Sequence, residues 1–180
     1  MSLPARLGSP SSRLALACLL ATLAACAPPF QILTLQPGFD GTRIYRTTGN
    51  ILAGGAQIHP QVELNLERVD FPRNDPAYYA VVEYTGSTWL HIGDGATLAL
   101  QLDGETSTLG GPGSEEERRV LHGTSVNERA RYPLTADEVA RIAGAQTGEV
   151  TVLGRAGSVR RPLTQQNLRN LHRFLEQYGP

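Results

Sequence analysis

Histidine is the residue type best suited to general acid–base catalysis and to metal binding, and the chain contains four. His59, His91 and His122 lie far apart, and none belongs to an H-E-x-x-H pattern or to another closely spaced ligand pair. His172 lies beside leucines at helical spacing, where a packed histidine is the usual case. The sequence therefore predicts no resident metal and no cofactor. The alternative is a metal site that His59, His91 and His122 form by coming together in the folded chain.

Nucleophilic catalysis has little support in the sequence. Ser107 and Ser125 lie in polar, turn-rich segments, and no G-x-S-x-G motif is present. Lysine is absent, which excludes a Schiff base and a Ser–Lys pair. Asp94 and Asp103 each precede glycine, a pattern that turns explain, although loop carboxylates also suit calcium. Glu83 lies among apolar strand formers, where we expect it to face solvent or an arginine, so no catalytic residue is predicted.

Paired arginines bind phosphate or carboxylate groups through two parallel hydrogen bonds, and such pairs occur at Arg118-Arg119 and Arg160-Arg161. The first pair follows three consecutive glutamates, so a solvated loop of mixed charge is the simpler interpretation. No Walker A or G-x-G-x-x-G motif accompanies either pair. The formal net charge of -1 argues against a nucleic-acid partner.

The N-terminal segment has the composition of a secretory signal. Arg6 and Arg13 supply positive charge, and residues 14–25 form an uncharged apolar run. This run is shorter than the roughly 20 residues that a helix needs to span a bilayer. It ends in Leu23-Ala24-Ala25-Cys26.

This tetrapeptide resembles the lipobox of bacterial lipoproteins. The resemblance implies cleavage between Ala25 and Cys26, a diacylglyceryl group on the Cys26 thiol, and acylation of the new amino terminus by a fatty acid such as palmitate. Ala27, rather than Asp, follows the cysteine, which by resemblance to Gram-negative sorting favours the outer membrane, facing the periplasm. An ordinary secretory signal and an uncleaved anchor are the alternatives. We therefore divide the chain into a signal peptide (1–25), a lipidated cysteine with its tether (26–41) and one β-rich domain (42–180).

Period-2 alternation of apolar residues predicts short strands over most of this domain and allows a further strand within the tether. They are expected at 31–35, 42–47, 61–69, 77–85, 87–92, 96–102, 105–109, 118–121, 129–133, 150–153 and 158–163. The segments 118–121 and 129–133 are expected at sheet edges. Asp103-Gly104 predicts a two-residue hairpin.

The glycines at 93 and 95 leave two hairpin registers open. We favour a three-residue turn that pairs Ile92 with Ala96, because it places Leu90 and Ile92 beside Leu98 and Leu100. A two-residue turn would instead place Trp89 and His91 on that face.

Two helices are predicted near the end of the chain. The first begins at Thr135, whose capping box uses Glu138, and the second runs from Thr164 to about Tyr178. Leu168, Leu171, Leu175 and Tyr178 share one face of the second helix, whereas Arg169, Asn170, Arg173 and Gln177 lie largely opposite.

The pattern predicts a mainly β fold, an antiparallel β-sandwich or partly open barrel with a C-terminal amphipathic helix, and an α+β fold is the alternative. The order of segments is similar to that of small exported bacterial proteins with such a β body, a resemblance that brings no assigned activity. We expect a lipid-anchored, non-enzymatic structural or protein-interaction module of the cell envelope, with the membrane and another envelope protein as partners. The alternative is a binder of small ligands, and a hydrolase is a more distant one. The candidate ligand or partner surface comprises Tyr84, Trp89, His91, Arg160 and Arg161.

Overall fold

The structure, a computed structural model, describes residues 29–35, 38–53, 59–121 and 123–180. Within these ranges the chain is mainly β, as predicted, with two α-helices and a short 3₁₀ turn at Glu115–Glu117. The strands are β1 (Gln31–Leu35), β2 (Arg43–Thr48), β3 (Gln61–Asp70), β4 (Ala77–Gly86), β5 (Gly95–Leu102), β6 (Glu105–Gly111), β7 (Arg118–Val120), β8 (Val126–Leu134), β9 (Gly148–Gly154) and β10 (Gly157–Leu163). The helices are α1 (Ala136–Gly144) and α2 (Gln165–Tyr178).

The strands form two antiparallel sheets. The larger sheet has the order β1-β2-β3-β4-β8-β7 and curls into half a barrel, and the smaller has the order β10-β9-β5-β6. The apolar faces of both sheets enclose the core, because alternate residues of each strand point to the same side. Buried members of this core include Leu64, Leu66, Val82, Leu98, Leu100, Val150, Val152 and Tyr132.

Both helices begin as the sequence predicts. Thr135 and Glu138 form a capping box before α1, and Thr164 forms one with Asn167 before α2. Leu168, Leu171 and Leu175 of α2 are buried against the sheets together with Phe174, and Tyr178 is partly buried beside them.

Asn170 departs from its predicted exposure. It is buried, and its amide donates a hydrogen bond of 3.0 Å to the side-chain oxygen of Asn50. Asn167 donates to the same oxygen at 2.9 Å. A buried polar residue of α2 thus finds a hydrogen-bond partner in the β2–β3 connection. The spacing of apolar residues along the helix does not predict such a contact.

The hairpin predicted at Gly93-Asp94-Gly95 is wrong. Residues 87–94 form an irregular loop instead of a strand, and Gly95 pairs with Gly111 of β6. Leu90 and Ile92 nevertheless enter the core, as the favoured register required. The edge positions predicted for 118–121 and 129–133 agree with the strand pairing. β7 is the last strand of the larger sheet and pairs only with residues 126–128 of β8, so residues 129–133 have a ladder partner on one side, β4.

The other predicted hairpins are confirmed. Leu102 pairs with Glu105 across Asp103 and Gly104, both of which have positive φ, as a type I′ turn requires. Strands β9 and β10 pair across the turn between Gly154 and Gly157.

The predicted signal peptide and Cys26 lie outside the described residues. β1 falls within the predicted tether and forms the edge strand beside β2. In the described part of the chain, neither helix has the length and hydropathy required to cross a membrane.

Candidate functional site

The aromatic members of the predicted surface lie at one end of the larger sheet. Tyr84 is only 4% exposed, and its hydroxyl donates to the carbonyl oxygen of Thr88 at 3.0 Å, so its side chain belongs to the core. Trp89 is partly buried against the core, and its ring centroid lies 6.5 Å from that of His91. The structure therefore brings Trp89 and His91 together.

The two arginines of that predicted surface lie on β10. Arg160 is largely exposed and forms an ion pair with Glu149 of β9. Arg161 donates to the carbonyl oxygen of Pro60 at 2.8 Å. Each guanidinium thus has a partner away from the Trp89–His91 pair.

Glu128 holds the loop of residues 87–94 in place. It lies on the core side of β8 and is fully buried. Its carboxylate accepts hydrogen bonds from the backbone N–H groups of Leu90 (2.5 Å), His91 (2.8 Å) and Ile92 (2.9 Å). The Ser114 hydroxyl donates to it at 2.6 Å. These donors explain why the segment forms no strand, since its N–H groups face a side chain instead of a neighbouring strand.

The three N–H groups converge because His91 adopts the left-handed region, with φ of 57°. Such a turn aims successive N–H groups at one point and forms an anion-binding concavity, which the Glu128 carboxylate fills. Burial would raise the pKa of Glu128, but the hydrogen bonds from Ser114 and from the loop outweigh burial and hold this pKa below the ordinary value of a glutamate. Glu128 is therefore ionised at neutral pH.

A cleft of about 630 Å³ opens beside this loop. We call it the loop cleft, and its lining comprises Ile92, Gly93, Asp94, Ala96, Thr97, Pro112, Glu115, Arg118, Leu153, Gly154 and Arg155. Its volume lies within the range of small-molecule sites. Two acidic side chains, Asp94 and Glu115, and two basic ones, Arg118 and Arg155, line it, so its charges balance and suit a small polar ligand.

Arg118 forms the inner wall of the loop cleft. Its Nε donates to the Ser114 hydroxyl oxygen at 3.1 Å, and its Nη2 donates to the Ile92 carbonyl oxygen at 3.3 Å. The same Nε lies 3.5 Å from the Glu128 carboxylate. The Arg118-Arg119 pair is thus divided, because Arg118 turns inward while Arg119 is exposed.

The opposite face of the larger sheet carries a second buried carboxylate. Glu67 of β3 is 1% exposed, although the alternation of β3 predicts a solvated position. Arg46 and Arg131 form ion pairs with it, and the Nη2 of Arg129 lies 3.7 Å from its Oε2. We call this group, with Glu83, the arginine face.

Two further contacts cover the arginine face. The guanidinium carbon of Arg131 lies 3.5 Å from the ring centroid of Tyr79, and Arg129 donates to Glu117 at 3.1 Å. The arginine side chains therefore shield the Glu67 carboxylate from water.

Glu83 faces an arginine, as predicted. Its Oε1 lies 3.7 Å from the Nε of Arg129. Burial raises the pKa of Glu83, the negative charge of Glu63 raises it further, and Arg129 only partly offsets this.

The two most deeply buried carboxylates, Glu67 and Glu128, escaped the sequence analysis. A signal existed for Glu128, which shares its strand face with Ala130 and Tyr132 and so falls on the apolar side. Glu67 gave none, because its position in β3 alternates as a solvent-facing residue would.

The aspartate and histidines that the sequence analysis considered have contacts that a structural role explains, where the structure describes them. The Asp103 carboxylate accepts from the N–H groups of Gln146 (3.0 Å) and Thr147 (2.7 Å), which lowers its pKa. His172 of α2 lines a cleft that α2 shares with α1, and His122 lies outside the described residues. Across the described ranges, no three His, Cys, Asp or Glu residues group closely enough to hold a metal ion.

No protein-family model matches the chain, and no significant match exists among the curated proteins or the solved structures.

Proposed function

We propose that this chain is a lipid-anchored protein of the cell envelope whose β body serves as a non-enzymatic module for binding another envelope protein. The order of features at the N-terminus carries this proposal: positive charge, a short apolar run and then Leu23-Ala24-Ala25-Cys26. Acyl chains on one cysteine and its amino group supply the two or more anchors that stable membrane attachment requires.

The edge of the larger sheet formed by β7 supports the binding role. Val120 is 70% exposed and Leu121 is 42% exposed. On its other side β7 pairs with β8, so one row of its backbone groups faces outward. An exposed apolar edge of this kind accepts a strand from a partner, with main-chain hydrogen bonds supplying affinity.

The anchor is tested by metabolic labelling with a fatty-acid probe. The chain should incorporate the probe and sediment with membranes, and Cys26→Ser should abolish both. Cys18→Ser is the matched control and should label normally, because Cys18 precedes the cleavage site. Unchanged incorporation in Cys26→Ser would refute lipidation there.

The binding role is tested by cross-linking in intact envelopes. A photoreactive residue placed at position 119 should give one discrete adduct with an envelope protein, identified by mass spectrometry. Adding Val120→Asp should remove this adduct, because it places a charge on the apolar edge. A photoreactive residue at Leu153, which is 40% exposed on β9, serves as the control. An adduct that survives Val120→Asp would contradict a role for this edge.

The second candidate function is binding of a small polar ligand, which the volume and lining of the loop cleft favour. A panel of small carboxylates and phosphates can be screened for ligands that raise the melting temperature. Arg155→Ala should remove the shift, whereas Arg160→Ala outside the cleft should retain it. A panel without any shift, or a shift that Arg155→Ala leaves intact, would count against this function.

A further inference from the structure

The described chain begins in contact with the last helix. The Phe30 ring lies 4.6 Å from the guanidinium carbon of Arg173 on α2. Directly afterwards, β1 pairs with β2 over its whole length. The point at which the body meets its predicted tether is therefore fixed beside the exposed side of α2.

Because β1 belongs to the sheet, the tether is shorter than the predicted 26–41 and extends only from Cys26 to Phe30. Covalent geometry limits these four residues to about 14 Å when fully extended. A body of about 150 residues has a radius of gyration near 15 Å, so the tether is no longer than the body is thick. A lipidated Cys26 at the bilayer surface therefore keeps the side of the body that carries Phe30 close to the lipids.

That side carries two arginines without acidic partners. Arg169 and Arg173 are exposed and lie four residues apart, on one face of α2. Arg169 donates to the neutral side chain of Gln166 at 2.8 Å. Within the described ranges, neither guanidinium lies within salt-bridge distance of a carboxylate. Arg46, Arg129 and Arg131 of the arginine face, in contrast, are all paired.

We propose that β1 and the exposed side of α2 form a membrane-facing surface that lies on the bilayer, with Arg169 and Arg173 against the phosphates of anionic lipids. This inference rests on the lipid anchor of the proposed function. Positive charge near an anionic surface strengthens attachment by roughly fivefold for each arginine. The length of the tether and the charges of Arg169 and Arg173 thus both indicate that this surface faces the bilayer.

The orientation has a consequence for the partner edge. β1 and β7 lie at opposite edges of the six-stranded sheet, and neighbouring strands are about 4.8 Å apart. Four strands separate the two edges, so a body that lies on its β1 side leaves the β7 edge off the bilayer surface and open to a protein partner.

The test uses the full lipidated protein in vesicles of phosphatidylcholine with 30% phosphatidylglycerol as roughly physiological anionic content. A fluorophore is attached at Gln177 on α2 or at Val120 on β7, and quenching by lipids with a nitroxide on the headgroup is measured. We expect strong quenching at Gln177 and weak quenching at Val120. Arg169→Gln with Arg173→Gln should reduce this contrast, whereas Arg155→Gln with Arg160→Gln, the matched control, should preserve it.

Each outcome has a separate meaning. Equal quenching at the two positions, in protein shown by fatty-acid labelling to be lipidated, overturns the orientation and leaves the anchor intact. A chain that carries no fatty acid overturns the proposed function. A contrast that persists unchanged in pure phosphatidylcholine, or in the Arg169/Arg173 double variant, overturns the role of the arginines.

Discussion

The two faces of the larger sheet each bury one glutamate, and they satisfy it in different ways. Glu128 on the core face binds three backbone N–H groups of one loop and the Ser114 hydroxyl. Glu67 on the arginine face binds the guanidinium groups of long side chains. The backbone N–H groups point at Glu128 only while the loop keeps its conformation. The arginine side chains, in contrast, can rotate toward water if Glu67 is lost. The core-face carboxylate therefore specifies backbone structure, and the outer one organises side chains.

The largest effect is expected for Glu128→Gln. The amide retains one accepting oxygen and loses the negative charge. Some of the loop N–H groups then lose their acceptor, and Arg118 loses its opposite charge while keeping Ser114 and the Ile92 carbonyl oxygen. Breaking a buried, charged network of this kind destabilises a protein by about 3 kcal/mol. Urea denaturation should measure this loss in the free energy of unfolding. Glu116→Gln, an exposed neighbouring position, is the control and should change it by less than about 0.5 kcal/mol.

The pH dependence of the same variant gives a second measurement. Because folding lowers the pKa of Glu128, its contribution is fully present above the unfolded value and is lost as pH falls through the folded value. The difference between wild type and Glu128→Gln should stay constant above about pH 5 and shrink below about pH 4. A difference that grows on acidification would contradict the hydrogen-bonded carboxylate.

A smaller effect, about 2 kcal/mol, is expected for Glu67→Gln. Arg129 retains its hydrogen bond to Glu117 and lies near Glu83. Arg131 retains its contact with the ring of Tyr79. Each of these arginines therefore keeps a favourable partner when the charge of Glu67 is removed. Combining Glu67→Met with Arg46→Leu should recover part of the loss, because a well-packed apolar pair replaces a desolvated ion pair. If Glu67→Gln were as damaging as Glu128→Gln in urea denaturation, the distinction between the two faces would fail.

Backbone geometry gives a third test of the 87–94 loop. A Cβ added to Gly154 would lie 2.2 Å from the carbonyl oxygen of Leu90. Gly154→Ala should therefore shift the loop, destabilise the protein by about 1.5 kcal/mol and change the fluorescence of the single tryptophan, Trp89. Gly144→Ala, at the end of α1 with open space around its Cβ, should be neutral or slightly stabilising. A native fluorescence spectrum for Gly154→Ala would show that the loop is not held against β9.

These positions show what the sequence could predict. The Asp103-Gly104 hairpin, the capping box at Thr135 and the helix start at Thr164 are local signals, and each predicted its element correctly. Alternation predicted most of the strands. The 87–94 segment has equally good local strand character, but it depends on a carboxylate 36 to 38 residues away. A sequence pattern records no such distant partner. For the same reason the loop cleft was not located, although its neighbours Trp89 and His91 were chosen.

The burial of Glu67 marks a second limit. Its alternation in β3 is that of a solvent-facing residue, and the arginines that cover it come from β2 and β8. Only strand order, which the sequence left open, places those arginines around it. The alternation pattern therefore predicted the fold class, whereas the arginine face depends on the order of the strands in the sheet.

The smallest effect is expected for Glu83→Gln, and its sign is opposite to that of the other glutamates. Because folding raises the pKa of Glu83, ionisation of this side chain opposes folding at neutral pH. The glutamine variant should be more stable by about 0.5 kcal/mol at pH 7, a value typical of surface changes. This gain should vanish as pH falls below about 4, where glutamate is protonated in both states. Thermal denaturation at both pH values tests this, and destabilisation at pH 7 would mean that the contact with Arg129 outweighs burial.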